Sequence, residues 1–228
     1  MKSISKELFE WGEDVVSQCD NYAKQIDLDY YCFQTPMPES QVDFLIIGIN
    51  PGGQKSYNEA MDLLRKQLGK EVSSKPVERL AQCINLYSVK NPNPDNIRMV
   101  SKLSRVFYTS TLVEALERST AMNIYYFNTT NTNGLNKHLC EEIKSYCRKK
   151  TLEAINIMNP KHILFLCTNN HELSLMGVKN IKGIGNYMKE GELGGKRILS
   201  MPNPGFYKAF SYKNGEQMGI IIAEYLSQ

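Results

Sequence analysis

The run Phe44-Leu45-Ile46-Ile47-Gly48-Ile49-Asn50-Pro51-Gly52-Gly53 joins a continuous apolar stretch to an abrupt stop. Apolar residues at successive positions suit a strand covered on both faces, as in a parallel sheet. Pro51 then fixes the backbone, while Gly52 and Gly53 permit a sharp bend and the close approach of another molecule. Residues Arg197-Ile198-Leu199-Ser200-Met201-Pro202-Asn203-Pro204-Gly205 repeat the pattern, an apolar strand closed by Asn-Pro-Gly. Two more β-prone runs lie between them, NIYYFNT at 123–129 and HILFLC at 162–167. With 42–48 and 196–201 they predict a three-layer α/β/α sandwich around a central four-stranded parallel sheet. Folds of this kind place their chemistry at the carboxyl ends of the strands.

Helical patterns separate these runs. An amphipathic helix is expected over 5–24, and helical periodicity marks 57–68 and 98–118. Over 137–158, Leu139, Ile143, Cys147, Ala154, Ile155 and Met158 form one stripe. Asn159-Pro160 ends that helix ahead of the third strand. A last helix is expected over 214–227, and 69–97, rich in Lys, Ser, Asn and Pro, reads as a long surface excursion. The 228 residues show no repeat and no second compositional regime, so one domain spanning 1–228 is expected.

Composition narrows the function classes. Apolar residues make up 42% and charged ones 22%, as in soluble globular proteins. The net charge of +3 is compatible with nucleic acid without indicating it. The six cysteines form no CxxC pair, which argues against zinc or iron–sulfur sites and for free thiols in a reducing cytoplasm. No apolar run approaches the roughly 18–20 residues of a membrane span, and the first residues lack the apolar core of a signal peptide. A cytoplasmic monomer without membrane contact, metal or other cofactor is expected. The three histidines show no ligand spacing, and no G-x-S-x-G elbow supports serine hydrolysis. Lys144, Arg148, Lys149 and Lys150 form a basic run, read first as a solvated helix face and otherwise as a phosphate-contacting stripe.

Each strand end offers particular chemistry. Gly48-Ile49-Asn50-Pro51-Gly52 is neither a Walker loop nor a full GxGxxG fingerprint. Phe127-Asn128-Thr129-Thr130-Asn131-Thr132-Asn133-Gly134 concentrates amides and hydroxyls. It suits an Asx-turn loop, or the edge of a pyrimidine ring, because an Asn amide offers one acceptor and two donors. After Asn203-Pro204 come Gly205, Phe206, Tyr207 and Lys208. Such a segment packs on itself as a hairpin or enters a stacked duplex with its lysine near a phosphate.

The order of these three strand ends resembles the uracil-DNA glycosylase superfamily, over about 42–228. Gly48-Ile49-Asn50-Pro51-Gly52 is similar to the first motif of the mismatch-specific uracil/thymine and single-strand-selective branches, which positions the water that attacks the sugar. Phe127-Asn128-Thr129 resembles the mid-chain strand end whose Asn reads the flipped uracil. Asn203-Pro204-Gly205-Phe206 resembles the second motif, commonly His-Pro-Ser and Asn-Pro-Ser-Gly in the mismatch-specific branch. The chain departs from the family pattern in carrying Asn50 where other branches have Asp, and Gly205 where Ser is usual.

The resemblance implies excision of uracil or a related damaged pyrimidine from DNA. Asn50 and Asn203 are then the catalytic residues. Gly48, Ile49, Pro51, Gly52, Tyr57 and Asn128 surround the base, with Tyr57 the nearest aromatic for stacking and Phe107 and Tyr108 as alternatives. Gly205, Phe206, Tyr207 and Lys208 contact DNA. A catalytically silent binder of nucleic acid or nucleotide on the same fold is the alternative, and a small-molecule enzyme the third.

Overall fold

The computed structural model describes residues 6–39, 41–53, 55–69, 77–130, 132–205 and 207–228. Eight α-helices are described: α1 (Lys6–Ile26), α2 (Tyr57–Leu68), α3 (Ile97–Val106), α4 (Ser110–Glu117), α5 (Thr132–His138), α6 (Glu141–Met158), α7 (Asn170–Leu175) and α8 (Tyr212–Leu226). The strands are β1 (Phe44–Gly48), β2 (Thr120–Asn123), β3 (His162–Phe165), β4 (Lys179–Ile184), β5 (Met188–Leu193) and β6 (Lys196–Ser200). Together they form an α/β fold with one mixed sheet, in the order β2-β1-β3-β6-β5-β4.

The four-stranded parallel sheet expected from the sequence is therefore corrected to six mixed strands. β1 pairs in parallel with β3, Phe44 opposite His162, and β3 in parallel with β6, Leu164 opposite Leu199. β5 runs antiparallel to both β6 and β4. The extra strands follow from turn chemistry. Gly194 (φ 58°) and Gly195 (φ 78°) join β5 to β6, and Leu193 pairs with Lys196 across them. Two consecutive positive φ values are what a two-residue hairpin of matching twist requires, and glycine adopts them without strain.

The run 123–129 is corrected as well. The strand covers Thr120–Asn123, and the buried residues that follow leave the ladder. Their backbone groups find partners on two sides. Asn123 N donates to Cys32 O, Tyr125 N to Ile49 O and Asn128 N to Asp29 O, while Tyr126 O accepts from Tyr31 N. Apolar continuity records burial, and several partner segments can supply that burial as well as one neighbouring strand does.

Helix boundaries agree where caps are explicit. Ser56 and Glu59 close a capping box before α2, and Gly69, left-handed at φ 63°, ends it. Asn159 ends α6 in the same conformation at φ 44°. The expected helix over 98–118 is instead α3 and α4, divided where Thr109 caps α4 by accepting from Leu112 N. Residues 137–158 likewise divide into the end of α5 and α6.

The chain forms two compact units. One takes in Met1–Gln41, Ile49–Cys83 and Asn123–Asn159. Here Trp11 of α1 donates to Lys150 O of α6 and sits edge-on to Phe33. Tyr30, fully buried, donates to Asp20 at 2.9 Å. Burial and that carboxylate both hold its hydroxyl far above the ordinary tyrosine range.

The other unit takes in Val42–Gly48, Ile84–Met122 and Pro160–Gln228. Its core sets Phe44, Ile46, Leu164 and Leu199 of the sheet with Leu103 and Val106 of α3 and Met218 and Ile222 of α8. Helices α3 and α8 approach closely because α8 carries glycine at the seam. A Cβ on Gly219 would lie 2.4 Å from Val106 O and 2.7 Å from Tyr108 Cε1.

Gly-to-Ala in a helix interior ordinarily stabilises by about 1 kcal/mol. At Gly219 the clash reverses the sign, and Gly219→Ala is expected to destabilise by about 1–3 kcal/mol. Urea unfolding monitored by circular dichroism measures it; an unchanged or raised midpoint would show that the seam is loose.

Candidate functional site

The strongest arrangement of candidate residues lies in the first unit. It is built from the turn after β1, the start of α2, the segment 27–31 and the segment 125–130. Asp29 N donates to Lys55 O, and Asn58 Nδ2 to Asp27 Oδ1 at 3.0 Å, so the start of α2 docks on 27–29. Asp29 O accepts from Asn128 N on its other side. From α6, the Thr151 hydroxyl lies 3.0–3.2 Å from Asn123 O, Ile124 O and Tyr126 Oη and holds the opposite flank.

Asn50 is the clasp of this arrangement. Its Nδ2 lies 2.9 Å from Thr129 O, from Thr129 Oγ1 and from Pro51 O. Thr129 N returns a bond to Pro51 O at 3.3 Å, and Tyr125 N donates to Ile49 O at 2.8 Å. The amide donor is fully engaged. The amide oxygen accepts no hydrogen bond from a described residue, and the residue is only half-buried. Gly52 and Gly53 beside it are exposed, and Gly53 holds φ 111°, a conformation that favours glycine. A Cβ on Gly52 would meet no described residue within 4 Å.

Asn128 is the converse. It is 6% exposed, and its Oδ1 is buried without a hydrogen-bond partner among the described residues. An unpaired buried amide oxygen costs about 1–3 kcal/mol. The structure thus brings a buried, unengaged amide next in sequence to the threonine that Asn50 grips.

Tyr57 does not present a stacking surface. It opens α2 with 3% exposure, and its hydroxyl is held above the ordinary range by burial and then by Asp20. Sequence reasoning passed over Asp29, which is fully buried and whose carbonyl accepts from Asn128 N. Burial, with Asp29 adding to it, pushes the Tyr31 hydroxyl up to about 12. A lone acidic residue inside Leu28-Asp29-Tyr30-Tyr31 was the available signal. The basic run on α6 is largely engaged: Arg148 is buried against Glu141 and Tyr125, and Lys150 pairs with Asp14 and Glu153.

The second unit carries the other motif. Asn203 is exposed, and its Oδ1 accepts from Gly205 N at 2.7 Å, leaving its amide donor without a described partner. Buried Lys102 donates from Nζ to Pro204 O at 2.6 Å and fixes the turn to α3. Burial, then Arg105 and Arg98, lowers the Lys102 pKa. Lys208 is exposed; Phe206 lies outside the described residues, as does the Tyr207 side chain. Phe107, the other stacking candidate, is buried at 1% and packs against Phe44, while Tyr108 is 46% exposed.

No protein-family model matches the chain, and no curated protein matches it.

Because Asn50 Nδ2 bridges to a threonine far along the chain, Asn50→Ala is expected to destabilise by about 1–3 kcal/mol. Asn50→Asp sets a carboxylate against Pro51 O and Thr129 O. Its folded-state pKa is then raised, because only the protonated acid can donate there. Stability of this variant is therefore greatest at acid pH and falls as pH rises through that pKa. Melting curves of the variant and parent from pH 4 to 8 test this, and parallel profiles would show that the clasp is not made through the amide protons.

Proposed function

We propose that the protein is a DNA glycosylase that hydrolyses the N-glycosidic bond of uracil or a related damaged pyrimidine extruded from DNA. The observation that carries this reading is the buried, unengaged amide of Asn128 beside the Asn50–Thr129 clasp. A uracil edge offers a ring N–H and carbonyl oxygens, the complement of an amide oxygen and amide N–H. The amide of Asn128 then gains, on base entry, the bonds that the protein does not supply.

Hydrolysis breaks the bond between the sugar carbon and the base nitrogen. The bonding electrons leave with the base, water oxygen bonds to the sugar carbon, and the water proton is lost to solvent as the base takes one up. Positive charge builds on the sugar and negative charge on the base. Extrusion is required first, because the stack shields the sugar carbon, and it costs a few kcal/mol. The open oxygen of Asn50 is an acceptor, which suits it to orient a water molecule; its amide does not ionise to act as a strong base. The open donor of Asn203 is the type of group that stabilises a departing anion. These roles rest on the motif resemblance and on which end of each amide the protein leaves open.

One observation favours the silent binder instead. All of the amide donor capacity of Asn50 goes to the protein's own backbone and to Thr129, as in a purely structural clasp. Such a protein would bind the base through Asn128 and release nothing.

End-labelled oligonucleotides containing uracil, single-stranded and duplex, separate the two when abasic sites are revealed by alkali. The glycosylase reading expects strand scission by the parent and a loss on the order of 100-fold in Asn128→Ala. The melting temperature of that variant is expected to stay near the parent's, since the side chain makes no described hydrogen bond. No scission of either substrate, or of a panel of damaged pyrimidines, would reject catalysis. Base-dependent binding that Asn128→Ala abolishes would then establish the binder.

A further inference from the structure

A cavity of about 400 Å³ lies in the second unit, away from Asn203, lined by Ser101, Ser104, Arg105, Tyr108, Tyr212 and Glu216. It falls within the roughly 300–1,000 Å³ of sites that take small ligands or side groups of larger ones. Tyr212 is 77% exposed and Tyr108 46%, an unusual outlay of aromatic surface. The Arg105 guanidinium lies 4.7 Å from the centre of the Tyr212 ring. Arg105 is itself fixed, since Nη1 donates to Phe210 O.

The walls are set by close packing. A Cβ on Gly215 would lie 2.7 Å from Arg105 O, and Gly219 is tighter still. Arg105 and Tyr212 are therefore held on two helices whose spacing has no slack, with Tyr108 in the connection that follows α3.

We infer that this groove is a binding site for single-stranded DNA, in which an unpaired base stacks on Tyr212 and Arg105. Three observations select nucleic acid. Exposed tyrosine beside arginine is a sequence-tolerant stacking platform, since every base has a π face. The lining elements carry an excess of cations: Arg98 and the lining Arg105 in α3, with Lys208 and Lys213 before and within α8, against the lining Glu216. Helix α3, which walls the groove, also holds the turn after β6 through Lys102 and Pro204 O. A proline-rich peptide would fill an aromatic groove but would leave those cations unanswered.

An unpaired strand, unlike a duplex, has bases free to enter. Glu216, which only accepts hydrogen bonds when ionised, favours bases with an exocyclic amino group. The inference rests on the nucleic-acid reading proposed above and extends it from the excised base to the strand that carries it.

The probe is a short fluorescein-labelled oligo-dC without uracil, followed by anisotropy at several salt concentrations. The parent is expected to bind it more tightly than the matching duplex, with affinity falling as salt rises. Tyr212→Ala is expected to weaken binding by at least about fivefold, and Tyr212→Phe, which keeps the ring, to retain it. Tyr212 is exposed enough for its loss to leave the fold intact, and a Tyr108→Ala variant gives an independent reading. No binding by the parent, equal binding by Tyr212→Ala and parent, or displacement of the probe by a proline-rich peptide but not by unlabelled oligo-dC would each overturn the inference. Uracil release is measured separately. Tyr212-dependent binding without uracil release would reject the glycosylase while leaving the groove standing, and uracil release with Tyr212-independent binding would do the reverse.

Discussion

The hydrogen bonds from Asn50 to Thr129 span 79 positions in the chain, and the geometry of the first unit's site follows from them. Without them, the turn after β1 and the segment bearing Asn128 have little to fix their separation beyond two backbone bonds. The donor matters because two of its acceptors are backbone carbonyls. Neither carbonyl can change its chemistry, so the side chain between them must bring protons. Asparagine does so without a charge, and it still leaves its oxygen available. A carboxylate of nearly the same shape would meet two oxygens with a third.

In the second unit the organising contact is between α3 and the turn after β6. Lys102 reaches Pro204 O from a position that is only 7% exposed. Burying an ammonium is expensive unless it is hydrogen-bonded, so the carbonyl of the Asn-Pro-Gly turn has a demanding partner. Arg105, one turn further along α3, holds Phe210 O in the same manner. The segment between Pro204 and Phe210 is thus anchored at both ends by cations from one helix. Gly215 and Gly219 bring α8 close enough to complete that packing.

What the sequence disclosed depended on whether the signal was local. The box Ser56-x-x-Glu59 and Gly69 mark α2 at both ends, and Asn159-Pro160 stops α6, because caps act within one turn of chain. The parallel pairing of β1, β3 and β6 was legible from apolar continuity. The β5–β6 hairpin is marked in the sequence only by Gly194-Gly195, because β4 and β5 lack the apolar core that marks the other strands. Those two strands carry Lys182, Lys189 and Glu190 instead. Residues 124–128 were misread for a deeper reason. Their backbone partners come from Asp29, Tyr31 and Ile49, and no local pattern reports a partner about a hundred residues distant.

Three asparagines illustrate how a fold can give one residue type three different chemistries. Asn50 has its donor engaged and its oxygen open. Asn203 has its oxygen engaged by Gly205 N and its donor open. Asn128 has its oxygen buried without a described partner. An amide in water shows no such polarity of purpose, since both ends are equally hydrated. The backbone around each residue removes one possibility and so selects the other: an acceptor at the first position, a donor at the second, and at the third an amide oxygen without a described partner. The proposed glycosylase reading asks these same three things of them: to place a water, to meet a leaving anion and to read a base edge. A neutral side chain can meet each of them only because the turns of the chain have already decided which way it acts.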